Sequence, residues 1–539
     1  MMKKQLYVVF VSVFMVLLLA ACSGDSATSD TDESGNVQLT FFAPQGKAPM
    51  EENEFTLFIE DKFDVSLNWD VAPTDALTDR RQLLLASGDY PEVFLEGKFS
   101  STDLLTYGSQ GVFLPLNDLI EEHAPNITAM MDKSEVFREA ITAPDGNIYA
   151  LPRFNECYHC TYSQKYWMNE DWLNAVGMEM PKTTDDLYEV LKAFKTEDPN
   201  GNGEADEIPL TGAPDKYVWN GNIDAYLMNS FIYNDNDKYL LLENGKVDFA
   251  ANKPAWRDGL SYMNKLYEEG LIDQAAFTQN DQAIGQLGNR EGDEVVGSVT
   301  TALISYLVDT YDPEAERHKH WTIVPPLEGP EGVQLAGVEK GIAEFQFAIT
   351  NKATEAQQVK AIEIANYLFS EEGSLYSEYG PSEGSGWKMA EAEEKNIKGE
   401  PAKYSYYNLP ERDPNVVVNE SWSLVGPKDL SNDFRDLFAE GQDPLTAEGY
   451  GTRLAQATEV YAPYAPEEYY PTGVYIRPDD TEAAAQITTA IQDYVESNLA
   501  QFIVGSKDID KEWDAYVEGF EGLGLDQYLD IYQSAIEKE

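Results

Sequence analysis

The sharpest chemical pattern in this chain of 539 residues is Asp198-Pro199-Asn200-Gly201-Asn202-Gly203-Glu204-Ala205-Asp206-Glu207. Oxygen-bearing side chains stand at loop positions one, three, five and nine (Asp198, Asn200, Asn202, Asp206), with Gly203 at six for the tight turn. Glu204, at seven, is placed to offer its backbone carbonyl. This is the spacing by which an EF-hand-type loop wraps a hard divalent cation such as calcium. The pattern departs at position twelve, where Pro209 replaces the bidentate glutamate. A solvated Asn/Gly turn competes with the calcium reading, since these residues form turns readily. The regular alternation favours calcium, in a structural role.

The second pattern is Cys157-Tyr158-His159-Cys160, which holds two of the three cysteines. A C-x-x-C of this kind supports redox chemistry, half a zinc site or a local disulfide. A four-ligand zinc site needs further Cys or His, and His123, His318 and His320 are scattered. Outside the cell a local disulfide is the expected state. Nothing resembles a nucleophile elbow, a phosphate-binding Gly-rich loop with lysine or a His-rich metal triad. A glycoside hydrolase needs two carboxylates about 5–10 Å apart. With 95 acidic residues, any such pair is unremarkable in sequence, and no enzymatic activity is expected. The 9 Trp and 32 Tyr supply ample ring faces for stacking sugars without locating a site.

Charge narrows the partners. With 38 Lys+Arg against 95 Asp+Glu, 38 − 95 gives a formal charge of −57. Nucleic-acid binding needs a basic footprint, and no Lys/Arg run follows residue 4. Charge-driven docking to an anionic bilayer is disfavoured for the same reason. Disorder does not follow, because 43% of residues are hydrophobic and 12% aromatic, enough to fill cores. The length is too great for one core and suits two or more lobes.

The elements that must position these residues can be read from periodicity. Val37–Phe42 alternates and predicts a first strand, Phe55–Phe63 a short helix and Val65–Val71 a second strand. A Leu-rich helix ending at Ser87-Gly88 and a third strand at Glu92–Leu95 complete an α/β pattern. From about residue 170 onward helices dominate, at 172–176, 184–194, 256–269, 354–369, 483–502 and 511–520. Between about 376 and 480 the chain is rich in Tyr, Pro and Gly, with little periodicity, and long ordered loops are expected.

At the N-terminus, Lys3 and Lys4 precede an apolar run, Leu6–Leu19, and Leu19-Ala20-Ala21-Cys22 closes it. This ending resembles the lipobox of bacterial lipoproteins, which implies a signal peptide over residues 1–21 and diacylation of Cys22. Residues 22–36 then read as a flexible tether, and the body is held outside the cell by its lipid.

Ordered motifs along nearly the whole remaining chain carry a further likeness. They include Ala86–Phe94 (ASGDYPEVF), Gly111–Ile120 (GVFLPLNDLI), Asn169–Leu173, the loop from Asp198 to Pro209, Leu266–Asp273 and Val324–Pro330. The C-terminal stretch from Phe502 to Leu525 continues the series. In this order and spacing the chain resembles the extracellular solute-binding proteins of carbohydrate ABC importers, in the large lipoprotein branch of the alginate-oligosaccharide receptors. The resemblance implies an α/β, two-lobe periplasmic-binding-protein-like fold with hinge crossovers and a helix-rich C-terminal lobe. Residues 37–152 plus about 323–378 would form the N-terminal lobe, and 153–322 plus about 379–539 the C-terminal one. It adds Glu207 to the calcium ligands beside Asp198, Asn200, Asn202, Asp206 and the Glu204 carbonyl, because a similar loop in those receptors ends in adjacent Asp and Glu. It places candidate ligand contacts near the hinges at Arg153, Asn155, Tyr158, Trp219, Trp387, Tyr406 and Trp422. The implied partners are an oligosaccharide, the permease subunits and the membrane through the anchor, with a monomeric receptor. A surface glycan-degrading enzyme is one alternative; a receptor for uronate oligosaccharides or peptides, feeding a sensor, is another.

Overall fold

The computed structural model describes residues 31, 32, 34–46, 48–339, 345–407, 419, 421–423 and 425–537. Cys22, the signal segment and most of the tether lie outside them. In chain order the strands are β1 (Val37–Pro44), β2 (Val65–Ala72), β3 (Val93–Phe94), β4 (Leu151–Asn155), β5 (Tyr166–Asn169), β6 (Leu240–Glu243), β7 (Lys246–Phe249), β8 (Ser298–Thr300), β9 (Trp321–Val324), β10 (Phe345–Ile349), β11 (Trp387–Met389), β12 (Tyr404–Tyr406) and β13 (Lys428–Leu430).

The first body is a six-stranded mixed sheet in the order β13-β4-β10-β3-β1-β2. β1 runs parallel to β2 from Val37 opposite Val65 to Pro44 opposite Ala72, and parallel to β3. β10 is antiparallel to both β3 and β4. Leu39, Phe41, Phe42 and Ala43 are all fully buried, so both faces of β1 are covered. The connecting helix Glu54–Phe63 starts where the Asn53 side chain accepts from the backbone N–H groups of Phe55 and Thr56. The ASGDYPEVF motif is the next connection. Gly88, at φ 75°, caps the helix Leu77–Ser87 in the left-handed region, and the Glu92 carboxylate then accepts from the Thr40 N–H at 2.9 Å.

The second body is built on a three-stranded antiparallel sheet, β8-β5-β9, and is mostly helical. The helix Pro254–Glu268 packs on Thr481–Ile503, which contacts Ile509–Leu523 and Leu525–Ile536. Its core includes Trp256, Leu260, Ile491, Val495, Phe520 and Tyr528, recurring at helical spacing. A smaller core holds Trp167, Trp321, Tyr450 and Leu454, and another holds Leu375, Trp387, Tyr404, Phe434 and Phe438.

Three differences from the sequence reading have physical causes. The helix-dominated region also contains β6, β7, β8 and β9, strands of three or four residues that are too short to show alternation. The region 376–480, expected as loops, contains β11 to β13 and a helix at Tyr450–Tyr461. Tyr450, Leu454, Ala457 and Tyr461 do follow a helical stripe, but Gly449 and Gly451 obscure its start. Lastly, residues 153–155 and 428–430, both assigned by resemblance to the C-terminal lobe, pair in parallel with each other at the edge of the six-stranded sheet.

In the Val324–Pro330 motif, Gly329 has no room for a side chain: an added Cβ would meet the Ser230 carbonyl oxygen at 1.7 Å. Gly329→Ala is expected to cost about 1–3 kcal/mol by overpacking against backbone, read as a lowered midpoint in denaturant unfolding.

Candidate functional site

The oxygen-rich loop follows the helix Thr184–Thr196 and is shaped by its backbone: Asp198 lies at φ 49°, Gly201 at 72° and Gly203 at 78°. Its side chains fold inward. The Asn200 and Asn202 oxygens accept from the N–H groups of Asn202 (3.0 Å) and Glu204 (2.7 Å), and Asp198 accepts from Gly203 at 3.1 Å. Asp206 is the meeting point, accepting from the amides of Asn202 at 3.1 Å and Asn200 at 3.5 Å. Arg290 stands 3.5 Å from its other oxygen. One Glu207 oxygen is buried with no hydrogen-bond partner. An orphaned buried carboxylate oxygen is a group that a hard cation satisfies, and the oxygen donors of this loop are of the type calcium takes. The carboxylates of Asp198, Asp206 and Glu207 do not close into one group among the described residues. Past the loop, Ile208 donates its N–H to Val295 at 2.7 Å, tying it to the second body.

The second candidate region begins at β4, where the chain leaves the first sheet. Arg153 lies 3.9 Å from Glu96, and its Nε and one Nη are buried without hydrogen-bond partners. Burial pushes the Glu96 carboxyl up, against the downward pull of Arg153 and Lys98. Asn155 is exposed and accepts from Arg435 at 2.6 Å. The Tyr158 hydroxyl donates to the Asn432 carbonyl at 3.2 Å and to the Asp436 carboxylate. Arg435 Nε and Asn432 Oδ1 are also buried and unpartnered. Arg153, Asn155 and Tyr158 thus share one stretch with the helix Asn432–Arg435, which sequence reasoning passed over. No periodicity marks so short a helix, and only the pairing of β13 with β4 brings it here.

Cys157 and Cys160 form a disulfide, with Cα atoms 5.2 Å apart. With His159 they are a close group of metal-capable side chains, but the sulfurs are bonded to each other and not free as thiolates. Beneath the turn, the fully buried Lys165 donates from Nζ to the carbonyls of His159 (2.8 Å) and Tyr162 (2.5 Å). Burial lowers its ammonium pKa to about 7. Trp219 is half-buried, its ring 6.4 Å from His159 in an edge arrangement. Next to it lies an amide network: Asn220 donates to Ser163 at 2.8 Å, and Asn236 to Asn220 at 2.9 Å.

The remaining candidates lie elsewhere. Trp387 is buried against Tyr376 and Tyr404, and its indole N–H donates to Gly380 at 3.0 Å. Tyr406 is half-buried, stacked on Phe438 at 4.8 Å in the same small core. Trp422, 1% exposed, sits in the first core, ringed by Phe41, Phe55 and Trp69, with its N–H on Thr56 at 2.9 Å.

Known proteins resemble the chain over its length. The fructooligosaccharide ABC transporter substrate-binding protein FusA of Streptococcus pneumoniae is 29% identical, the match covering 96% of this chain and 95% of that one. The structure of FusA in complex with kestose superposes with a TM-score of 0.72 at 28% identity, covering 92% of this chain and 98% of that one. A structure of a FusA EF-hand mutant in complex with fructo-nystose superposes with a TM-score of 0.71. Lipoprotein LipO of Bacillus subtilis is 24% identical over 96% of this chain and 97% of its own. An extracellular solute-binding protein of Bifidobacterium longum subsp. infantis shares the fold, with a TM-score of 0.76 at 22% identity over 94% of this chain and 99% of that one. Among the described residues no helix is long and apolar enough to cross a membrane. Residues 33–374 match the family described as bacterial extracellular solute-binding protein, and with that span covering well over half of its length the chain belongs to this family.

Proposed function

We propose that the protein is the substrate-binding component of an ABC importer, which captures a neutral oligosaccharide between its two bodies and delivers it to the permease. The observation that carries this reading is the family match over residues 33–374, joined by near-complete coverage against FusA. Arg153, Asn155 and Tyr158, where the chain passes from β4 toward β5, and Trp219, whose ring meets His159 of that stretch, are our ligand contacts. A ligand touching both bodies favours their closure, because it gains both sets of contacts only in the closed state. Trp387, Tyr406 and Trp422 serve instead to pack the walls. We take the first body as residues 37–155 with 345–369 and β13, and the second as 166–324 with 450–537.

In the loop, Asp198, Asn200, Asn202, Asp206, Glu207 and the Glu204 carbonyl would hold calcium. When bound, the ion supplies positive charge that cross-links these oxygens. Cys22 would carry the lipid that keeps the protein on the outer face of the cell membrane, as a monomer.

Isothermal titration against kestose, nystose, neutral host oligosaccharides, a trigalacturonate and a peptide tests the ligand class. A neutral oligosaccharide is expected to bind with Kd near or below about 1 μM. Tight binding by uronates or peptides alone would overturn the proposal, and release of products from labelled oligosaccharide would make the protein an enzyme.

A further inference from the structure

His159 sits in a turn braced by a disulfide, a backbone hydrogen bond and a buried lysine, yet its ring is left unused. The turn that carries it is closed by a hydrogen bond from Cys160 N–H to Cys157 C=O at 3.2 Å, and the disulfide spans the same residues. Lys165 fixes its carbonyl from below. The ring is partly exposed and meets the edge of Trp219 at an interplanar angle of 62°. Among the described residues, neither ring nitrogen has a hydrogen-bond partner.

The other three histidines differ. His320 lies 2.8 Å from Glu294, His318 lies 3.5 Å from Arg453, and His123 lies 3.8 Å from Glu122. A side chain locked in place, half-covered and polar, with both nitrogens unspent, is pre-organised for a partner from outside the chain. The adjacent indole supplies an apolar face of the kind on which a sugar ring stacks, and an imidazole beside it can reach a ring hydroxyl.

We infer that the His159 imidazole, clamped between the Cys157–Cys160 disulfide and the Trp219 ring, is a hydrogen-bonding contact to the bound ligand and sets its specificity. This rests on the oligosaccharide-receptor reading above. Burial first, then Lys165 and Arg435, push the imidazole pKa down to about 3. The ring therefore stays uncharged across physiological pH, with one nitrogen donating and the other accepting, which matches a hydroxyl that does both.

The test is calorimetric titration of the mature, oxidised protein with kestose, or with whichever panel member the wild type binds most tightly. His159→Ala is expected to weaken binding about tenfold or more, while His159→Gln, which keeps a donor and an acceptor, recovers most of it. Wild-type Kd should stay flat from about pH 5 to 8. In histidine-labelled protein the imidazole C–H signal of His159 should shift on adding the sugar, a readout independent of whether the alanine variant folds. Wild-type binding with an unchanged His159→Ala affinity, or with an unmoved His159 signal, overturns this inference alone. A Kd that breaks near the ordinary histidine pKa overturns it as well. A wild type that binds no oligosaccharide overturns the receptor reading and the inference with it.

Discussion

Removing calcium with a chelator is expected to lower the thermal midpoint of the wild-type protein by about 10 °C. An ion at a thousand times its Kd stabilises the native state by about 4 kcal/mol, and each kcal/mol moves the midpoint of a body this size by about 2–4 °C. The loop explains why the loss should be large. Without a cation, Asp206 is met by the Asn200 and Asn202 amides and by Arg290, Asp198 accepts from the Gly203 N–H, and one buried Glu207 oxygen has no hydrogen-bond partner. Replacing both Asp198→Asn and Glu207→Gln should remove the calcium-dependent shift while leaving the fold recognisable by circular dichroism. A chelated wild type that melts within about 1 °C of the calcium-loaded protein would return the loop to a solvated turn.

The second large effect concerns Trp422. Its ring centroid lies 5.0 Å from Phe55, 5.7 Å from Trp69 and 6.4 Å from Phe41, each at a steep angle. Its carbonyl also accepts from the buried Lys428 at 2.8 Å. Trp422→Ala should therefore cost about 3–5 kcal/mol, the range for emptying a large aromatic site, with ligand affinity of the folded fraction unchanged. Trp219→Ala should do the opposite: lose about tenfold or more in affinity and barely move the midpoint. Differential scanning calorimetry and titration on the same two variants separate these roles. If Trp422→Ala weakens binding at unchanged stability, the aromatic assignments are reversed.

Much of the framework was legible along the chain. β1, the helix Glu54–Phe63, β2 and the helix Thr481–Ile503 lie within two residues of where periodicity put them. Their signals are local: alternation, 3–4 spacing and caps such as Asn53 and Gly88 are written within a single turn or strand. The disulfide was legible for the same reason, since Cys157 and Cys160 are separated by three positions. The calcium-type loop was read from an interval of ten residues.

The aromatic candidates were not separable in this way. Trp219 and Trp422 both stand in aperiodic segments, and nothing within ten residues of either says which one ends in a core. That was decided by contacts across hundreds of positions: Trp422 against Phe41 and Phe55, β13 against β4, and Arg435 against Asn155, 280 residues apart. The sequence by itself thus determined the local pieces, because turn chemistry and side-chain periodicity are short-range. Which of those pieces face a common wall, and which disappear into a core, only the tertiary structure decided. Burial depends on what the rest of the chain brings up to a residue, and composition carries no record of that.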